Sequence, residues 1–280
     1  MVGVIDVGGG LRGIYGAGVF DWCMDHEIRF DYAIGVSAGA ANLASFTACQ
    51  PGRNYPFYSE YCFRKEYMGV RQKIRTGSFL NLDYIYRDLS NADGENPLDY
   101  QAMMDNPMEF VTVATKAGTG EPKYFYKREY KQDDYGFISA SSCVPWVNRP
   151  YEFKGELYYD GGISDPIPVE KAMADGCERV VVILTRPRDF YRDSKKDVRV
   201  AKRMAGKYPG AAVALASRAD TYNRQLDLCK ELEYQGRVLI VAPDTIGRMS
   251  TLTRDLRQIE AMYMRGRRDA HVIEEYLNRS

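Results

Sequence analysis

Short apolar runs alternate with amphipathic segments through the first fifty residues of the chain. Residues 3–7 (GVIDV) and 32–36 (YAIGV) have the length and the continuous apolar character of buried strands. Residues 13–26 carry apolar side chains at helical spacing, and residues 38–48 are rich in small residues that allow close packing on a sheet. This order of strand, helix, strand and helix predicts an α/β fold with a parallel sheet.

The rest of the pattern predicts further elements without a linker that would divide the chain. Strands are predicted at 109–116, 122–127, 156–159, 179–184 and 237–241, and helices near 55–67, 83–89, 134–142, 168–175, 211–233 and 253–278. There is no internal repeat and no low-complexity segment. We therefore expect one domain, with a helical cap over about 54–105 and a C-terminal extension after about residue 190.

Composition and charge are those of an ordinary globular protein. Of the 280 residues, 45% are hydrophobic, and 38 basic residues balance 38 acidic ones. This balance gives no electrostatic case for nucleic acid or for an anionic membrane surface. No apolar run approaches the roughly 18 residues that span a bilayer, and the N-terminus lacks a secretory signal pattern. The six cysteines have neither zinc-ligand nor CxxC spacing, so we expect reduced thiols, a cytoplasmic protein and no metal.

A glycine run follows the first predicted strand and opens the first predicted helix. Gly8, Gly10 and Gly13 fit the pattern G-x-G-x-x-G of dinucleotide-binding turns. The acid about 20 residues further on, Asp31, precedes the second strand, whereas a ribose-binding acid belongs at the end of that strand. A nucleotide-binding module therefore stays open as an alternative.

A second glycine motif stands at the end of the second strand. Gly35-Val36-Ser37-Ala38-Gly39 reads G-x-S-x-G between a strand and a helix, which is the arrangement of a nucleophile elbow. The serine hydroxyl would stand at a helix N-terminus, where the helix dipole favours developing negative charge. Because turns after neighbouring parallel strands emerge at one edge, the amides of the glycine run could stabilise an oxyanion beside Ser37.

Ser37 needs a group that accepts its proton. The order Ser37, Asp160, His271 matches the α/β-hydrolase triad, but His271 lies in a charged helical run and is expected to face solvent. The only other histidine, His26, ends the first helix, at the end of the sheet away from Ser37. Asp160 follows a strand and precedes Gly161-Gly162, a turn that would aim its carboxylate at the site. A shielded carboxylate can act as the base directly, so dyad and triad both stay open.

These three motifs together resemble the patatin-like phospholipase family of bacterial and plant acyl hydrolases. The family pattern joins G-G-G-x-[RK]-G, G-x-S-x-G and D-G-[GA] in this order. Here the three motifs read Gly8-Gly9-Gly10-Leu11-Arg12-Gly13, Gly35-Val36-Ser37-Ala38-Gly39 and Asp160-Gly161-Gly162. The resemblance covers residues 2–185 and is looser beyond them.

The resemblance implies a Ser-Asp dyad without a catalytic histidine, in which Ser37 is the nucleophile and Asp160 the base. It implies an oxyanion hole built from the backbone of the glycine motif, which comprises Gly8, Gly9, Gly10, Leu11, Arg12 and Gly13. The Arg12 side chain is expected to hold this loop near the sheet, with a contact to a substrate phosphate as the alternative.

The fold implied by the family is a three-layer α/β/α sandwich with a mostly parallel central sheet. Residues 1–185 would form the patatin-like catalytic core, and residues 186–280 an α/β extension packed on the same domain.

The function implied by the resemblance is that of a serine acyl hydrolase that cleaves carboxylic esters of lipids or phospholipids through an acyl-enzyme. Its type would be that of a phospholipase A or lysophospholipase, without a cofactor. We expect a lipid or other ester as the partner, no nucleic acid, and a cytoplasmic location with transient contact at the inner membrane surface. Basic residues in the cap, including Arg71–Arg75, are either a solvated face or the source of such contact.

Three alternatives to a lipid hydrolase with a dyad stay open. They are a nucleotide-binding module, a small-ester esterase with a Ser-Asp-His triad, and a regulatory protein that keeps the fold with little turnover. The sequence leaves open the natural ester, its acyl length and headgroup, transfer against hydrolysis, and the oligomeric state.

Overall fold

The fold is known from a computed structural model that describes residues 1–278. Its strands are β1 (Val2–Asp6), β2 (Tyr32–Val36), β3 (Glu109–Lys116), β4 (Pro122–Tyr126), β5 (Tyr151–Phe153), β6 (Glu156–Asp160), β7 (Arg179–Ile183) and β8 (Val238–Val241). They form one sheet in the order β5-β6-β3-β2-β1-β7-β8, with β4 paired to β3. The pairs from β3 through β2, β1 and β7 to β8 are parallel, and the pairs among β3, β4, β5 and β6 are antiparallel.

Helices cover both faces of this sheet. They are α1 (Ile14–Asp25), α2 (Ala38–Thr47), α3 (Tyr55–Ser59), α4 (Val70–Thr76), α5 (Tyr100–Asp105), α6 (Gly136–Ser141), α7 (Val169–Ala174), α8 (Lys195–Met204), α9 (Pro209–Tyr234), α10 (Leu256–Asp269) and α11 (His271–Leu277). A π-helical turn spans Tyr84–Asp88, and 3-10 turns include Gly10–Gly13 and Gly161–Ile163.

Neighbouring side chains on the central strands enter two separate apolar clusters, because strand side chains alternate between faces. Val4 of β1 and Val181 of β7 join the larger cluster, which includes residues of α1, α2 and α10. Ile5 and Val182 join the smaller cluster, with residues of α7 and α9. This three-layer arrangement around a mixed sheet confirms the predicted fold class. The predicted boundary at residue 185 stays a prediction, and residues 279 and 280 of the predicted extension lie outside the described residues.

Several short elements differ from the sequence-based expectation. Helices α4, α5 and α8 and strand β5 were not predicted. Two of them bury few side chains, since α4 buries no residue and α8 buries only two of its ten. The predicted helix at 55–67 ends at Ser59 and continues as a 3-10 turn, and the predicted helix at 253–278 is divided at Ala270. Polar surface helices lack the apolar periodicity on which sequence-based prediction depends.

Three global observations concern the chemistry available to the chain. All six cysteines are free thiols, five of them buried and Cys49 exposed. Over residues 1–278 no helix is both long and apolar enough to cross a bilayer. In the same residues no group of three or more His, Cys, Asp or Glu side chains is arranged to hold a metal ion.

Helix α10, in the C-terminal extension, crosses α1 at two glycines. A Cβ atom on Gly266 would lie 2.1 Å from the carbonyl oxygen of Tyr15, and one on Gly18 would lie 2.2 Å from that of Tyr263. The Tyr15 hydroxyl also donates to the Asp269 carboxylate at 3.0 Å. Backbone contact and a side-chain hydrogen bond thus fasten the extension to the first helix of the core.

We expect Gly266→Ala to lower the free energy of unfolding by about 1–3 kcal/mol, the usual cost of overpacking a tight contact. The opposing gain in helix propensity is only about 1 kcal/mol. Urea unfolding measures the change, and Gly206→Ala, which meets no atom within 4 Å, is the matched control. Equal stability of Gly266→Ala and the wild type would contradict the close helix crossing.

Candidate active site

Ser37 stands on the tight turn between β2 and α2. Its backbone has φ 57° and ψ −132°, a strained conformation for a residue with a side chain. The turn is possible because the residues two positions before and after Ser37 are glycines, and a side chain at either position would clash with the neighbouring backbone. A Cβ atom on Gly35 would lie 2.5 Å from the Ala40 Cα, and one on Gly39 would lie 2.2 Å from the Asp6 carbonyl oxygen. Ser37 therefore has the geometry of a nucleophile elbow at the N-terminus of α2.

The glycine loop, residues 8–13, packs directly against this turn. Gly8, Gly9 and Gly10 have φ values of 62°, 129° and 60°, which disfavour residues with side chains. A Cβ atom on Gly8 would lie 2.3 Å from the Val36 carbonyl oxygen, so loop and elbow touch through their backbones. The glycine loop is thereby held next to the serine, as the parallel-sheet argument predicts.

A buried carboxylate, Asp6, joins the loop to the elbow helix. Its Oδ1 accepts the Gly8 amide at 2.9 Å, and its Oδ2 accepts the side-chain amide of Asn42 on α2 at 2.9 Å. Burial raises the pKa of Asp6 to about 6, against the hydrogen bonds from Asn42 and Gly8. Sequence reasoning missed both residues, although an acid at the end of an apolar strand was a readable signal.

Asp160 ends β6 and reaches the same edge of the sheet. In the strand register Val113 pairs with Val36, and the next residue, Ala114, pairs with Asp160. Strand β3 thus brings the end of β2 and the end of β6 to adjacent positions. The carboxylate is 6% exposed, and its Oδ1 accepts the Gly162 amide at 2.8 Å.

Burial raises the pKa of the Asp160 carboxyl above its ordinary value. Hydrogen bonds from the Ser37 side chain and the Gly162 amide oppose this shift, as do the positive charges of Arg218 and Arg192. Ser37 and Asp160 border one cavity of about 540 Å³. A carboxylate in this position can accept a proton from a serine hydroxyl.

The amides of the glycine loop differ in what they bind. Gly8 donates to the carboxylate described above, and Leu11 donates to the carbonyl oxygen of Thr251 at 2.9 Å. The amides of Gly9 and Gly10 donate to no acceptor in the described chain, and both residues border the 540 Å³ cavity. Two of the amides predicted for an oxyanion hole are thus unoccupied, and a third is engaged by the C-terminal extension.

The Arg12 side chain is buried against the glycine loop. Its Nη1 donates to the Thr251 hydroxyl at 3.2 Å, while its Nε has no hydrogen-bond partner among residues 1–278. A Cβ atom on Gly9 would lie 3.0 Å from Nη2. Burial lowers the pKa of Arg12 to about 10, with smaller contributions from the positive charges of Arg186 and Arg192. The guanidinium lies against the loop and is still protonated at neutral pH, and its expected role in holding the loop near the sheet stays a prediction.

Two cavities meet at Ser37. The apolar cavity lies between α2 and the cap, and its wall includes Ala44, Phe57, Met68, Leu82, Ile85 and Ile138. The 540 Å³ cavity lies on the side of Asp160, and four arginines border it, Arg12, Arg186, Arg192 and Arg218. We call it the basic cavity. Thr251 and Leu252 border both cavities, so the C-terminal extension forms part of the wall between them.

The two histidines and Asp31 lie away from both cavities. His271 is exposed at the start of α11, and His26 follows α1 with its ring stacked on Trp22 at 3.9 Å. The Asp31 carboxylate accepts the amide of Val2, at the edge of the sheet opposite to the glycine loop. Neither a triad histidine nor a ribose-binding acid is therefore supplied to the site by these residues.

Sequence reasoning missed the contributions of residues beyond about 185. The Thr185 hydroxyl donates to the Gly8 carbonyl oxygen and anchors the loop from β7. Arg186, Arg192 and Thr251 come from irregular segments without a motif. Ser141 lies on the small-residue helix α6, in the stretch Ala140–Pro145 that resembles the family's helix before the aspartate, but it was assigned no role. Its hydroxyl accepts the Ser37 amide at 2.8 Å.

Comparison with known families gives two matches along the chain. Residues 7–173 match the family described as Patatin-like phospholipase. Residues 208–279 match the family described as Domain of unknown function (DUF6363). The second match covers the region that supplies Arg218 and Thr251.

Two individual proteins illustrate what the chain is similar to. The Escherichia coli (strain K12) protein named "Uncharacterized protein YjjU" is 33% identical over 195 residues, which are 68% of this chain and 53% of that protein. The crystal structure of VipD from Legionella pneumophila matches with a TM-score of 0.50 and 15% identity, over 98% of this chain and 66% of that one. The chain thus spans about half the length of YjjU, and its likeness to VipD concerns the fold.

Proposed function

The chain belongs to the patatin-like phospholipase family, and on that premise we propose that it is a serine hydrolase of lipid carboxylic esters. The observation that carries the proposal is the convergence of three groups at one edge of the sheet. They are the Ser37 hydroxyl, the Asp160 carboxylate and the unoccupied amides of Gly9 and Gly10. A nucleophile, a base and oxyanion donors are what acyl transfer requires.

The proposed reaction uses these groups in two steps. Ser37 attacks the ester carbonyl while Asp160 takes the hydroxyl proton, and the amides of Gly9 and Gly10 stabilise the oxyanion. The C–O bond to the alcohol then breaks, and Asp160 returns the proton to the departing oxygen. In the second step Asp160 takes a proton from water, which attacks the acyl-enzyme carbonyl. The bond between the acyl carbon and the Ser37 oxygen then breaks, Asp160 returns the proton to that oxygen, and the fatty acid leaves.

The apolar cavity supports a lipid substrate of the phospholipase A or lysophospholipase type. It opens at Ser37, and its wall is mostly aliphatic and aromatic. Tyr86 borders it with a hydroxyl 3.2 Å from that of Ser142, and burial raises the pKa of Tyr86 to about 12, so the phenol is neutral. Such a wall suits an acyl chain better than a charged group.

We expect Ser37→Ala and Asp160→Asn each to lower kcat/KM for a short-chain aryl ester by about 10³-fold or more, since each removes a group that acts in the transition state. His271→Ala is expected to retain wild-type kcat/KM, because His271 is remote from both cavities. A fluorophosphonate probe should label the wild type and not Ser37→Ala. Loss of activity in His271→Ala would indicate a Ser-Asp-His triad instead of a dyad. Full activity of Ser37→Ala would overturn the proposal.

We expect kcat/KM to fall on acidification with an apparent pKa above 3.8, because burial raises the pKa of Asp160 and only the carboxylate accepts a proton. Arg218→Gln should move this acid limb to higher pH, since the charge of Arg218 lowers that pKa. The pH profile for an ester without titratable groups measures both effects. Arg199→Gln, an exposed position on α8, is the control. An acid limb at or below pH 3.8 would exclude Asp160 as the base.

We further propose transient contact of the cap with a membrane surface. Val70 and Ile74 of α4 are 68% and 82% exposed, and Trp146 is 57% exposed. Lys73 of α4 joins these residues by donating to the Trp146 carbonyl oxygen at 3.2 Å. Exposed apolar side chains beside basic ones are the combination that binds anionic lipid surfaces.

Ile74→Glu should lower co-sedimentation with phosphatidylglycerol-containing vesicles severalfold, because it removes apolar contact and adds a repelled charge. Hydrolysis of a soluble aryl ester should not change. Val213→Glu, at a 69% exposed apolar position of α9, is the matched control. If both variants partition like the wild type, the cap is not the contact surface.

A further inference from the structure

Helix α2 lines the apolar cavity from Ser37 inwards. Three alanines on successive turns of this helix border the cavity, namely Ala38, Ala41 and Ala44. The hydroxyl of the next residue, Ser45, accepts a hydrogen bond from Nη1 of Arg53 at 2.9 Å, and Arg53 borders the same cavity. Ser45 lies eight residues after Ser37, about 12 Å further along the helix at 1.5 Å per residue. Arg53 therefore lies at the end of the cavity away from the nucleophile.

Helix α6 lines the cavity in the same direction. Its last residue, Ser141, accepts the Ser37 amide at 2.8 Å, so this helix ends at the nucleophile. Ile138 in the middle of α6 and Tyr135 just before its first residue border the cavity. Arg53 and Tyr135 each shift the pKa of the other, so the two side chains lie close together. Both helices thus lead from Ser37 to the same distant end.

The distant end of the cavity is polar, although the wall that leads to it is mostly aliphatic and aromatic. We call Arg53, Ser90 and Tyr135 the polar end. The Arg53 guanidinium donates four hydrogen bonds of 2.8–3.1 Å, to the hydroxyls of Ser45 and Ser90 and the carbonyl oxygens of Asn96 and Pro97. All four acceptors are neutral. Because a guanidinium has five N–H donors, one donor has no acceptor in residues 1–278.

The positive charge of Arg53 has no anionic partner from the chain. Among residues 1–278, no aspartate or glutamate borders the apolar cavity, and no acid is among the groups that shift the pKa of Arg53. Burial lowers that pKa to about 10, so the side chain is charged at neutral pH. A cation that is withdrawn from water without a counter-ion is unfavourable unless something compensates it. The hydrogen bonds to neutral oxygens do not supply that compensation.

Tyr135 adds a second donor at the polar end. The side chain is 1% exposed, and its hydroxyl has no hydrogen-bond partner among residues 1–278. Burial raises the pKa of Tyr135, and the backbone amide of Asp133 opposes this shift as a donor towards the phenol oxygen. The hydroxyl proton is therefore without an acceptor in the described chain. A buried donor of this kind costs free energy that an acceptor on a ligand would recover.

An acyl chain that starts at Ser37 and fills the apolar cavity ends at these two donors. They are a cation without an anion and a hydroxyl without an acceptor, and a carboxylate is the group that satisfies both. We propose that the polar end binds a terminal carboxylate of the acyl chain, so that the preferred substrates are monoesters of α,ω-dicarboxylic acids. Arg53 and Tyr135 are then the residues that determine acyl specificity.

This inference rests on the proposed function for the chemistry at Ser37, and it adds the class of the acyl group. The bond between the acyl carbon and the alcohol oxygen breaks as the serine ester forms, and water then releases the acid. The distal carboxylate reacts in neither step and stays at Arg53 and Tyr135 throughout. The products are the free alcohol and a dicarboxylic acid.

Turnover of paired esters tests the acyl specificity. The substrates are monomeric p-nitrophenyl monoesters of hexanedioic to tetradecanedioic acid, each paired with the ester of the monocarboxylic acid of equal chain length. At one chain length we expect kcat/KM to favour the dicarboxylic ester about tenfold or more, and less on either side, because the carboxylate must span a fixed distance to Arg53. A ratio that never exceeds one, or that does not vary with chain length, would overturn the inference.

Tyr135→Phe separates ligand binding from a structural role. The substitution removes only a hydroxyl whose proton has no acceptor, so the midpoint of urea unfolding should stay the same or rise. The ratio at the best chain length should nevertheless fall about fivefold or more. Tyr276→Phe is the matched control, since Tyr276 is 4% exposed on α11, outside the cavity, and should keep the ratio. An unchanged ratio in Tyr135→Phe would overturn the inference.

Arg53→Gln tests the charge at the polar end. It should lower the ratio at the best chain length about tenfold or more, and Arg53→Lys should recover part of the loss because it keeps the positive charge. Equal ratios in Arg53→Gln and the wild type would contradict the assignment of a carboxylate.

Binding to the Ser37→Ala protein tests the same end without turnover. Decanedioate has an extended chain about as long as the distance along α2 from Ser37 to Ser45. Calorimetry should show tighter binding of decanedioate than of decanoate or ω-hydroxydecanoate, and Tyr135→Phe in this background should reduce the difference. Equally tight binding of ω-hydroxydecanoate and decanedioate would show that the polar end does not select a charge, and would overturn the inference.

The inference and the proposed function fail in different ways. If a fluorophosphonate labels Ser37 and the monocarboxylic esters are hydrolysed without any preference for the dicarboxylic ones, the inference is overturned and the hydrolase is supported. If Ser37 is not labelled and no ester of either series is hydrolysed, the hydrolase itself is overturned, and the inference with it.

Discussion

The site depends on one steric constraint, the direct contact between the backbone of the glycine loop and the backbone of the serine turn. Gly8 approaches the Val36 carbonyl so closely that no side chain would fit between them. Asp6 holds the contact by accepting hydrogen bonds from both sides, at the cost of burying a carboxylate. Because backbone geometry varies little, this contact fixes the distance between the free amides and the Ser37 hydroxyl. Pre-positioned donors of this kind need no rearrangement when charge develops.

The sequence predicted the parts of the site that follow from motif and topology. G-x-S-x-G after one parallel strand and a glycine run after its neighbour had to meet at one edge, and β1 and β2 do pair in parallel. The place of Asp160 depended on the register of β3 with β2 and β6, which no local pattern encodes. Arg186, Arg192 and Thr251 lie in irregular segments whose paths are set by tertiary packing. Asp6 was within reach, since an acid in a buried strand requires partners.

The contrast between total and local charge explains why composition gave no hint of the basic cavity. The chain as a whole is neutral, with 38 residues of each sign. Within the cavity, however, three arginines form no ion pair with an acid of residues 1–278. Because the effective dielectric constant is lower in a buried site than in water, the charge of each arginine acts more strongly on its surroundings. The opposite wall of the site is apolar. The two sides of the site therefore differ in polarity, which the net charge of the whole chain does not show.

The hydrogen bond from the Leu11 amide to the Thr251 carbonyl has a consequence for relatives of this protein. Thr251 lies within residues 208–279, outside the region that carries the three motifs. Where a homologue places another segment at this point, the same glycine loop exposes one more donor to a reacting carbonyl. Two chains with letter-for-letter identical motifs can therefore differ in how many amides solvate the transition state. Sorting such homologues by rate or by substrate then requires the segment that faces the loop as well as the motifs.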